Sequence, residues 1–283
     1  MRYFLYFFGA IFALSSSQAT HSPQLVLRSA KSGKTNIRLV VTSPQATEII
    51  FQLGKGNDIV ATSHFSDYPE EAKAIKRIGP IFGIGIESIL AERPDWVVSD
   101  PYASSPTLEL GISATELRHY PFAVTSLKEL MENSSRFLER VYGETNHPQL
   151  DKFHKCVHSL DKGEPFTFLA FAWMTPPILF GSKTFLSDLL SQIGGVNLVE
   201  KQLTHPFPRL STEWLIRHRP QVLYLLTESM NHASQAEALS HQWWPGQKVE
   251  IRILPSALFA RGSFTPLRHV EFLRPGFSPE ECR

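Results

Sequence analysis

The sequence predicts an α/β protein of two similar Rossmann-like lobes with parallel sheets. Short aliphatic runs alternate with segments of helical periodicity, which is typical of parallel strands covered by helices. This alternation occurs once in each half of the chain. In both halves a helix leads through a basic-proline dipeptide into a buried strand: Arg93-Pro94 precedes the run 96–98, and Arg219-Pro220 precedes the run 222–226.

The first lobe is predicted over residues 20–125. Its predicted strands are β-branched or aliphatic runs bounded by polar residues, namely 37–41, 58–61 and 96–98, with 25–27 as a candidate edge strand. A helix is predicted over 46–53, because Ile49, Ile50 and Leu53 have helical spacing and Gly54 can end the helix. A second predicted helix covers 87–91.

The second lobe is predicted over residues 164–283. The predicted strands are 166–171 and 222–226, and the predicted helices are 184–193 and 212–217.

Between the lobes, residues 126–163 are predicted to form a helical connection. It begins with Ser126 and Glu129 at the spacing of a capping box and continues, after Pro148, into a second helix over 149–160. Because this region has no Gly/Ser-rich linker, we expect the connection to be stiff and the ligand cleft to lie between the lobes.

The N-terminus has the pattern of a secretory signal. Arg2 precedes an apolar run that ends at Leu14, and Ser17 and Ala19 occupy the −3 and −1 positions of a cleavage site. A run of about a dozen apolar residues is too short to span a bilayer, which needs about 20. We therefore predict a signal peptide over 1–19. Its removal would lower the formal charge from +1 to zero.

Composition and motifs exclude several function classes. The near balance of 28 Lys+Arg against 27 Asp+Glu gives no basic footprint for nucleic acid. The Gly-x-Ser-x-Gly elbow and the phosphate-binding loop are both absent. His154 and His158 flank Cys156 at helical spacing but have no third ligand, so we expect exposed histidines rather than a metal site. Whether Cys156 pairs with Cys282 is left open by the sequence.

Aromatic side chains in predicted loops are the candidate ligand contacts. They follow strands or precede helices, where α/β folds place their ligand loops. They occur in both halves of the chain: Phe65, Phe82, Tyr102, Trp173 and Phe207. This distribution predicts that a large flat or amphipathic ligand binds between the lobes.

Several sequence blocks carry a family resemblance. Residues 38–49 read RLVVTSPQATEI, residues 63–72 read SHFSDYPEEA, and residues 86–91 read IESILA. In the second half, residues 194–197 read GGVN and residues 210–213 read LSTE. In this order the blocks resemble class III periplasmic binding proteins, which serve ABC importers of vitamin B12, haem and iron–siderophores. The Asp-Tyr-Pro block resembles the vitamin B12 (cobalamin) branch, and the resemblance runs from about residue 37 to 273.

The resemblance implies roles for individual residues. Glu87 and Glu213 match two acids, one on each lobe tip, that dock onto arginines of the permease dimer. Phe65 and Phe207 match ligand-facing aromatic positions, and Arg261 matches a cleft arginine that hydrogen-bonds corrin amides.

The sequence also departs from the cobalamin branch. Ile81 or Phe82 stands where that branch often has Trp, and Ala257 stands where it has an acid. The connection around residues 143–163 is several residues shorter.

The expected function is therefore an extracytoplasmic, periplasmic and monomeric binding protein. It would capture cobalamin or a related corrinoid and deliver it to an ABC permease, without catalysis or a resident cofactor. One alternative ligand is haem, with an axial ligand among Tyr102, His64 and His205. The other is a ferric siderophore, which would need several cations in the cleft, whereas the candidates are only Arg261 and Arg209. An exported metal-dependent hydrolase lacks a ligand-spaced cluster among the 11 His. An adhesive surface protein would not explain the aromatic loops.

Overall fold

The computed structural model describes residues 37–101, 104–199, 205–229, 231–277 and 279–282. The predicted signal peptide 1–19, the candidate strand 25–27 and Tyr102 lie outside the described residues. The strands are β1 (Leu39–Val41), β2 (Ile59–Thr62), β3 (Lys76–Arg77), β4 (Trp96–Ser99), β5 (Arg118–Pro121), β6 (Phe166–Trp173), β7 (Ile178–Leu179), β8 (Gly195–Asn197), β9 (Val222–Leu226) and β10 (Glu250–Leu254). The α-helices are α1 (Pro44–Gln52), α2 (Ile86–Ala91), α3 (Pro106–Ser113), α4 (Leu127–Phe137), α5 (Pro148–Ser159), α6 (Phe185–Gln192), α7 (Thr212–Arg217), α8 (Asn231–Trp243) and α9 (Ser256–Phe259).

The strands form two sheets, which confirms the predicted α/β class. The first sheet has the order β3-β2-β1-β4-β5, and its neighbouring strands are parallel. The second has the order β10-β9-β6-β7, and β8 also pairs with β6. The strand pairs are parallel as predicted, and β7 is the exception, since it runs antiparallel to β6. The physical reason is the short turn between β6 and β7, since a parallel crossover needs a dozen residues or more.

The two sheets repeat one arrangement. The order β2-β1-β4-β5 in the first corresponds to β8-β6-β9-β10 in the second. Helix α2 leads into β4, and α7 leads into β9. The two helices therefore occupy equivalent places in the two lobes.

Each sheet has its own apolar core. In the first lobe, Val40 and Val97 of the sheet pack in one buried cluster with Ile89 of α2. In the second, Phe171 of β6 stacks on Trp243 of α8 with ring centroids 5.7 Å apart.

Helices α4 and α5 lie between the two sheets in the chain. The side chain of Ser126 caps α4 by accepting a hydrogen bond from the Glu129 N–H at 3.2 Å, as the spacing predicts. The Glu129 carboxylate bonds the backbone N–H and hydroxyl of Thr125, both at 2.7 Å, rather than Ser126. The start of α4 is tied to α6 because the Leu127 N–H donates to the Asp188 carboxylate at 2.8 Å.

The C-terminal part of the chain returns to α5. Phe153 of α5 stacks on Phe264 with centroids 3.9 Å apart. Cys156 of α5 forms a disulfide with Cys282, which answers the question that the sequence left open. His154 and His158 are exposed. In the described part of the chain, no three His, Cys, Asp or Glu side chains gather as metal ligands.

None of the helices in the described residues is both long and apolar enough to cross a bilayer.

Candidate functional site

The candidate ligand residues lie on segments that follow the carboxyl ends of strands. Phe65 follows β2, Trp173 is the last residue of β6, and Arg261 follows β10 and α9. All three side chains are half-buried. In open α/β sheets, ligands bind in the crevice at this edge.

Hydroxyl groups fasten the segment that carries Phe65. The Ser63 and Ser66 hydroxyls lie 2.9 Å apart, and the Thr47 hydroxyl of α1 donates to Ser66 at 3.2 Å. Thr47 also contacts the Thr62 hydroxyl at 2.9 Å. All four hydroxyl side chains are buried. Their network joins the segment to both β2 and α1.

Arg77 of β3 binds the same segment from its other side. Its guanidinium donates to the carbonyl oxygens of Ser63 at 3.0 Å, Ser66 at 2.7 Å and Ala72 at 3.0 Å. Two of these carbonyls lie in the turn after β2, and the third lies in the 3-10 helix Glu70–Ala74. A planar guanidinium with several fixed donors can bind all three. Arg77 therefore sets the path of the loop that presents Phe65.

Ile81 and Phe82 differ in exposure. Ile81 is buried, whereas Phe82 is 41% exposed. Of the two neighbours, Phe82 is the one whose side chain is accessible to solvent.

Trp173 lies at the turn between β6 and β7. Its indole N–H donates to the Thr175 carbonyl at 2.7 Å. This bond fixes the half-buried indole against the turn.

Phe207 lies beside β7. Its ring meets Phe180 edge-on, with centroids 5.3 Å apart. Backbone bonds hold the segment, since the Gly181 N–H donates to the Pro206 carbonyl at 2.7 Å and the Leu179 N–H to Pro208 at 3.1 Å. A Cβ at Gly181 would lie 3.0 Å from the Pro206 oxygen, so glycine favours this close approach.

Asn197 of the Gly-Gly-x-Asn block supports the same region. Its amide nitrogen donates to the Phe180 carbonyl and to the Ser187 hydroxyl, each at 3.0 Å. Its amide oxygen accepts from the Val199 N–H at 2.9 Å. One amide thus links β8, α6 and the residue that contacts Phe207.

Arg261 joins the second lobe to the first. Its Nε donates to the Glu48 carboxylate of α1 at 2.9 Å, and its Nη1 lies 3.4 Å from the Asp67 carboxylate. The guanidinium carbon is 5.7 Å from the centre of the Tyr68 ring. Arg261 therefore contacts the loop that carries Phe65 and already has two anionic partners.

Glu48 is the acceptor at the centre of this junction. It is only 1% exposed, and the hydroxyls of Ser263 and Thr265 each donate to its Oε1 at 2.5 Å. Gln52 adds a bond to Thr265 at 2.7 Å. A buried carboxylate needs such donors to offset its lost hydration, so the junction depends on contacts between α1 and residues 261–265.

Glu87 and Glu213 are both exposed in the first turns of α2 and α7. A hydrogen bond from its own backbone N–H lowers the pKa of the Glu213 carboxyl, and the Ser211 hydroxyl and the Arg217 charge act in the same direction. Glu213 is therefore a carboxylate at neutral pH.

Sequence reasoning missed Glu48 and Arg77. The signal for Glu48 was a lone acid beside Ile49 and Ile50 in an apolar helix, since an acid at a buried position requires donors. Arg77 gave no signal beyond a basic dipeptide.

Comparisons with known proteins agree with this architecture. A family model described as periplasmic binding protein matches residues 39–247. A vitamin B12-binding protein of Yersinia pestis (strain Pestoides F) is 28% identical over 239 residues, which cover 80% of this chain and 81% of that protein.

Solved structures share the fold. The periplasmic vitamin B12 binding protein BtuF of Vibrio cholerae superposes with a TM-score of 0.66 at 24% identity, covering 83% of this chain and 93% of that chain. The periplasmic heme-binding protein RhuT from Roseiflexus sp. RS-1 gives 0.65 at 21% identity, covering 84% and 95%. An ABC transporter substrate-binding protein from Listeria monocytogenes EGD-e gives 0.64 at 18% identity, covering 84% and 96%.

The solved structures agree with one another in fold. The family is one of solute-binding proteins and not of enzymes. The chain belongs to the periplasmic binding protein family.

Proposed function

We propose that this chain is an exported binding protein that captures cobalamin or a related corrinoid between its lobes and delivers it to an ABC import permease. The observation that carries the proposal is the arrangement around Arg261. Aromatic side chains of both lobes follow the carboxyl ends of strands, and the cation near one of these loops is already paired with Glu48 and Asp67.

The aromatic loops suit a large ring system. Phe65 and Phe82 in the first lobe, and Trp173 and Phe207 in the second, are half-buried or exposed. Each can bury a ring face against an apolar macrocycle, and aromatic side chains contribute large areas of contact. Tyr102, which lies outside the described residues, is proposed to join them.

The charges around Arg261 favour a ligand that is not strongly anionic. One guanidinium faces two carboxylates, so the cluster of Arg261, Glu48 and Asp67 is net negative when both acids are ionised. A corrin ring carries amide side chains, which can share the Arg261 donors without adding charge. The propionates of haem would meet Asp67 nearby, and like charges in one site repel.

Haem is the second candidate, since one structural neighbour is a vitamin B12 binding protein and another is a heme-binding protein. The hydrogen bond at His205 argues against that residue as the axial ligand. Its Nδ1 accepts from the Phe207 N–H at 3.0 Å, so the neutral ring carries its proton on Nε2. A protonated Nε2 has no lone pair for iron. His64 is exposed and would be the better candidate.

For a ferric siderophore, Arg261 and Arg209 supply little positive charge.

Delivery is proposed to use Glu87 and Glu213. Exposed carboxylates on separate lobes can each receive a bidentate guanidinium from one permease subunit. Substitution of both by Ala should abolish uptake while ligand affinity is unchanged, and Glu116→Ala, another exposed acid, serves as the control. A loss of ligand affinity in the double variant would contradict this role.

Calorimetric titration of the purified protein tests the ligand. We expect micromolar or tighter binding of cyanocobalamin and weaker binding of haemin and of a ferric hydroxamate. Binding of haemin alone would overturn the corrinoid proposal in favour of haem.

A matched pair of variants tests the site. Phe65→Ala should weaken cyanocobalamin binding about tenfold, because it removes one aromatic contact of about 1.4 kcal/mol or more. Phe272→Ala removes an exposed ring in the C-terminal part of the chain and should leave affinity unchanged. Equal effects of the two substitutions would exclude Phe65 from the site.

The mass of the mature protein tests whether the signal peptide is removed on export. Protein recovered from the periplasm should begin at Thr20, and a product that retains residues 1–19 would contradict the predicted cleavage.

A further inference from the structure

Helices α2 and α7 share one pattern of side chains. Each has six residues with a glutamate at its second position, Glu87 and Glu213. Two residues later each places a fully buried aliphatic side chain, Ile89 and Leu215. The two helices also precede equivalent strands, β4 and β9, of the two sheets. The side-chain pattern is therefore repeated at equivalent positions of the two lobes.

The residue after each buried aliphatic side chain is also aliphatic, but it faces solvent. Leu90 is 44% exposed and Ile216 is 52% exposed. Each lies three residues after the glutamate of its helix, and residues at that spacing are neighbours on one helix face. Single exposed hydrophobic residues are common on protein surfaces. The same acid and aliphatic pair at equivalent positions of both lobes calls for a common explanation.

We propose that Leu90 and Ile216 are the apolar halves of two matched docking contacts, in which the partner presents a basic side chain beside an apolar recess. The proposal rests on the proposed function, because the partner is taken to be the ABC permease. We infer the basic side chain of the partner from charge complementarity, since Glu87 and Glu213 are both exposed acids. The apolar half adds contact energy that salt does not screen. Because one pattern occurs twice, the partner should offer two like surfaces, one to each lobe.

The two contacts differ in one respect. Arg217 lies four residues after Glu213 on α7, whereas Ala91 occupies the equivalent position of α2. A cation at that spacing offsets part of the Glu213 charge. Glu87 should therefore contribute more to docking than Glu213, and Ile216 should contribute a larger share of the contact on its own lobe.

Photocrosslinking in the protein's own host cells tests the contact directly. A benzophenone amino acid is placed at position 90, at position 216 or at control position 196, where Val196 is 52% exposed on β8. We expect adducts at 90 and 216 that mass spectrometry identifies as an ABC permease subunit, and no such adduct at 196. Absence of the permease from the adducts at 90 and 216, or equal labelling at 196, would overturn the proposal.

Substitution measures the contribution. Leu90→Ser with Ile216→Ser should lower uptake at limiting protein about tenfold or more, since each change removes buried apolar area on docking. Val196→Ser is the control. Cyanocobalamin binding, measured by calorimetry, should be unchanged in all variants.

The two proposals fail differently. Normal uptake by the double serine variant would overturn the apolar docking contact and leave the ligand proposal intact. Failure of the unsubstituted protein to bind cyanocobalamin would overturn the ligand, while the crosslinks, which need no added ligand, would still report on docking.

Discussion

The aromatic loops of the two lobes are held in different ways. In the first lobe, side chains hold the loop that carries Phe65, chiefly the buried hydroxyls and the Arg77 guanidinium. In the second lobe, backbone bonds along β7 hold the segment that carries Phe207, with Asn197 as the main side-chain support. A point mutation can remove a side-chain bond but leaves a backbone bond in place. The first loop should therefore be the more sensitive of the two to substitution.

Arg77→Ala should have the largest effect. It removes three hydrogen bonds to loop carbonyls, and at about 1 kcal/mol each the free energy of unfolding should fall by about 3 kcal/mol. Urea denaturation measures this change. Arg219→Ala in the second lobe removes one exposed bond to the Lys248 carbonyl and should change stability by less than about 0.5 kcal/mol. If both variants were equally stable, the comparison between the lobes would be wrong.

Asn197→Ala tests a strong side-chain support of the second loop, where the His205 ring also accepts a hydrogen bond from the Phe207 N–H. The Phe180 carbonyl and the Val199 N–H lose their partner, so we expect a loss of about 2 kcal/mol in the free energy of unfolding. Gln242→Ala, at an exposed position of α8, is the control for loss of an amide. A loss as large as that for Arg77→Ala would show that the second loop depends on side chains as much as the first.

Ser66→Ala removes one member of the hydroxyl network. The Thr47 hydroxyl keeps its bonds to the Ser43 carbonyl and the Thr62 hydroxyl. The buried Ser63 hydroxyl loses its bond to Ser66, so the loss should be about 1.5 kcal/mol. Ser113→Ala, which removes an exposed bond to the Glu109 carbonyl, should cost less. Thermal or urea unfolding of the two variants gives the loss of stability in each. A loss for Ser66→Ala several-fold larger than expected would indicate a cooperative network rather than independent bonds.

The smallest effect that we expect is a pH dependence of the stability that comes from His119 of β5, in the first lobe. Burial lowers the pKa of the His119 imidazole below its usual 6.5, although Glu109 acts in the opposite direction. The His119 ring lies 2.8 Å from the Ser99 hydroxyl at the end of β4. Below about pH 6.5 the unfolded chain takes up a proton that folded His119 resists, so this contribution to stability is complete above pH 6.5 and falls as the pH drops.

His119→Gln should flatten this dependence. Urea midpoints at pH 7.5 and 5.5 give the slope for each protein, and the variant should show the shallower fall. Identical slopes would mean that other groups cause the acid sensitivity.

Much of the fold could be predicted from the sequence because it rests on local patterns. The ranges 212–217 and 222–226 coincide with α7 and β9, and Gly54 has the positive φ of 76° expected after α1. Strand β5 was missed because its sequence, RHYP, is polar and lies at a sheet edge. Helix α3 was missed although Ser105 and Pro106 are typical of a helix start.

The site was less predictable for a physical reason. A loop aromatic such as Phe65 can be recognised from its position after a strand. The pairing of Glu48 with Arg261 spans 213 residues, and a polar contact at that separation has no periodicity to reveal it. The same holds for Arg77, whose partners are backbone carbonyls and leave no trace in residue type.

The disulfide places a covalent ring around one lobe only. Residues 156 and 282 are 126 positions apart, and the segment between them contains the whole second sheet. In the unfolded chain this ring restricts the second lobe and leaves the first free. Closing a loop of this length contributes about 5 kcal/mol in the chain-entropy model. Reduction should therefore lower the stability of the second lobe more than that of the first. The lobe whose loop tolerates substitution would then be the one that depends on an oxidising compartment.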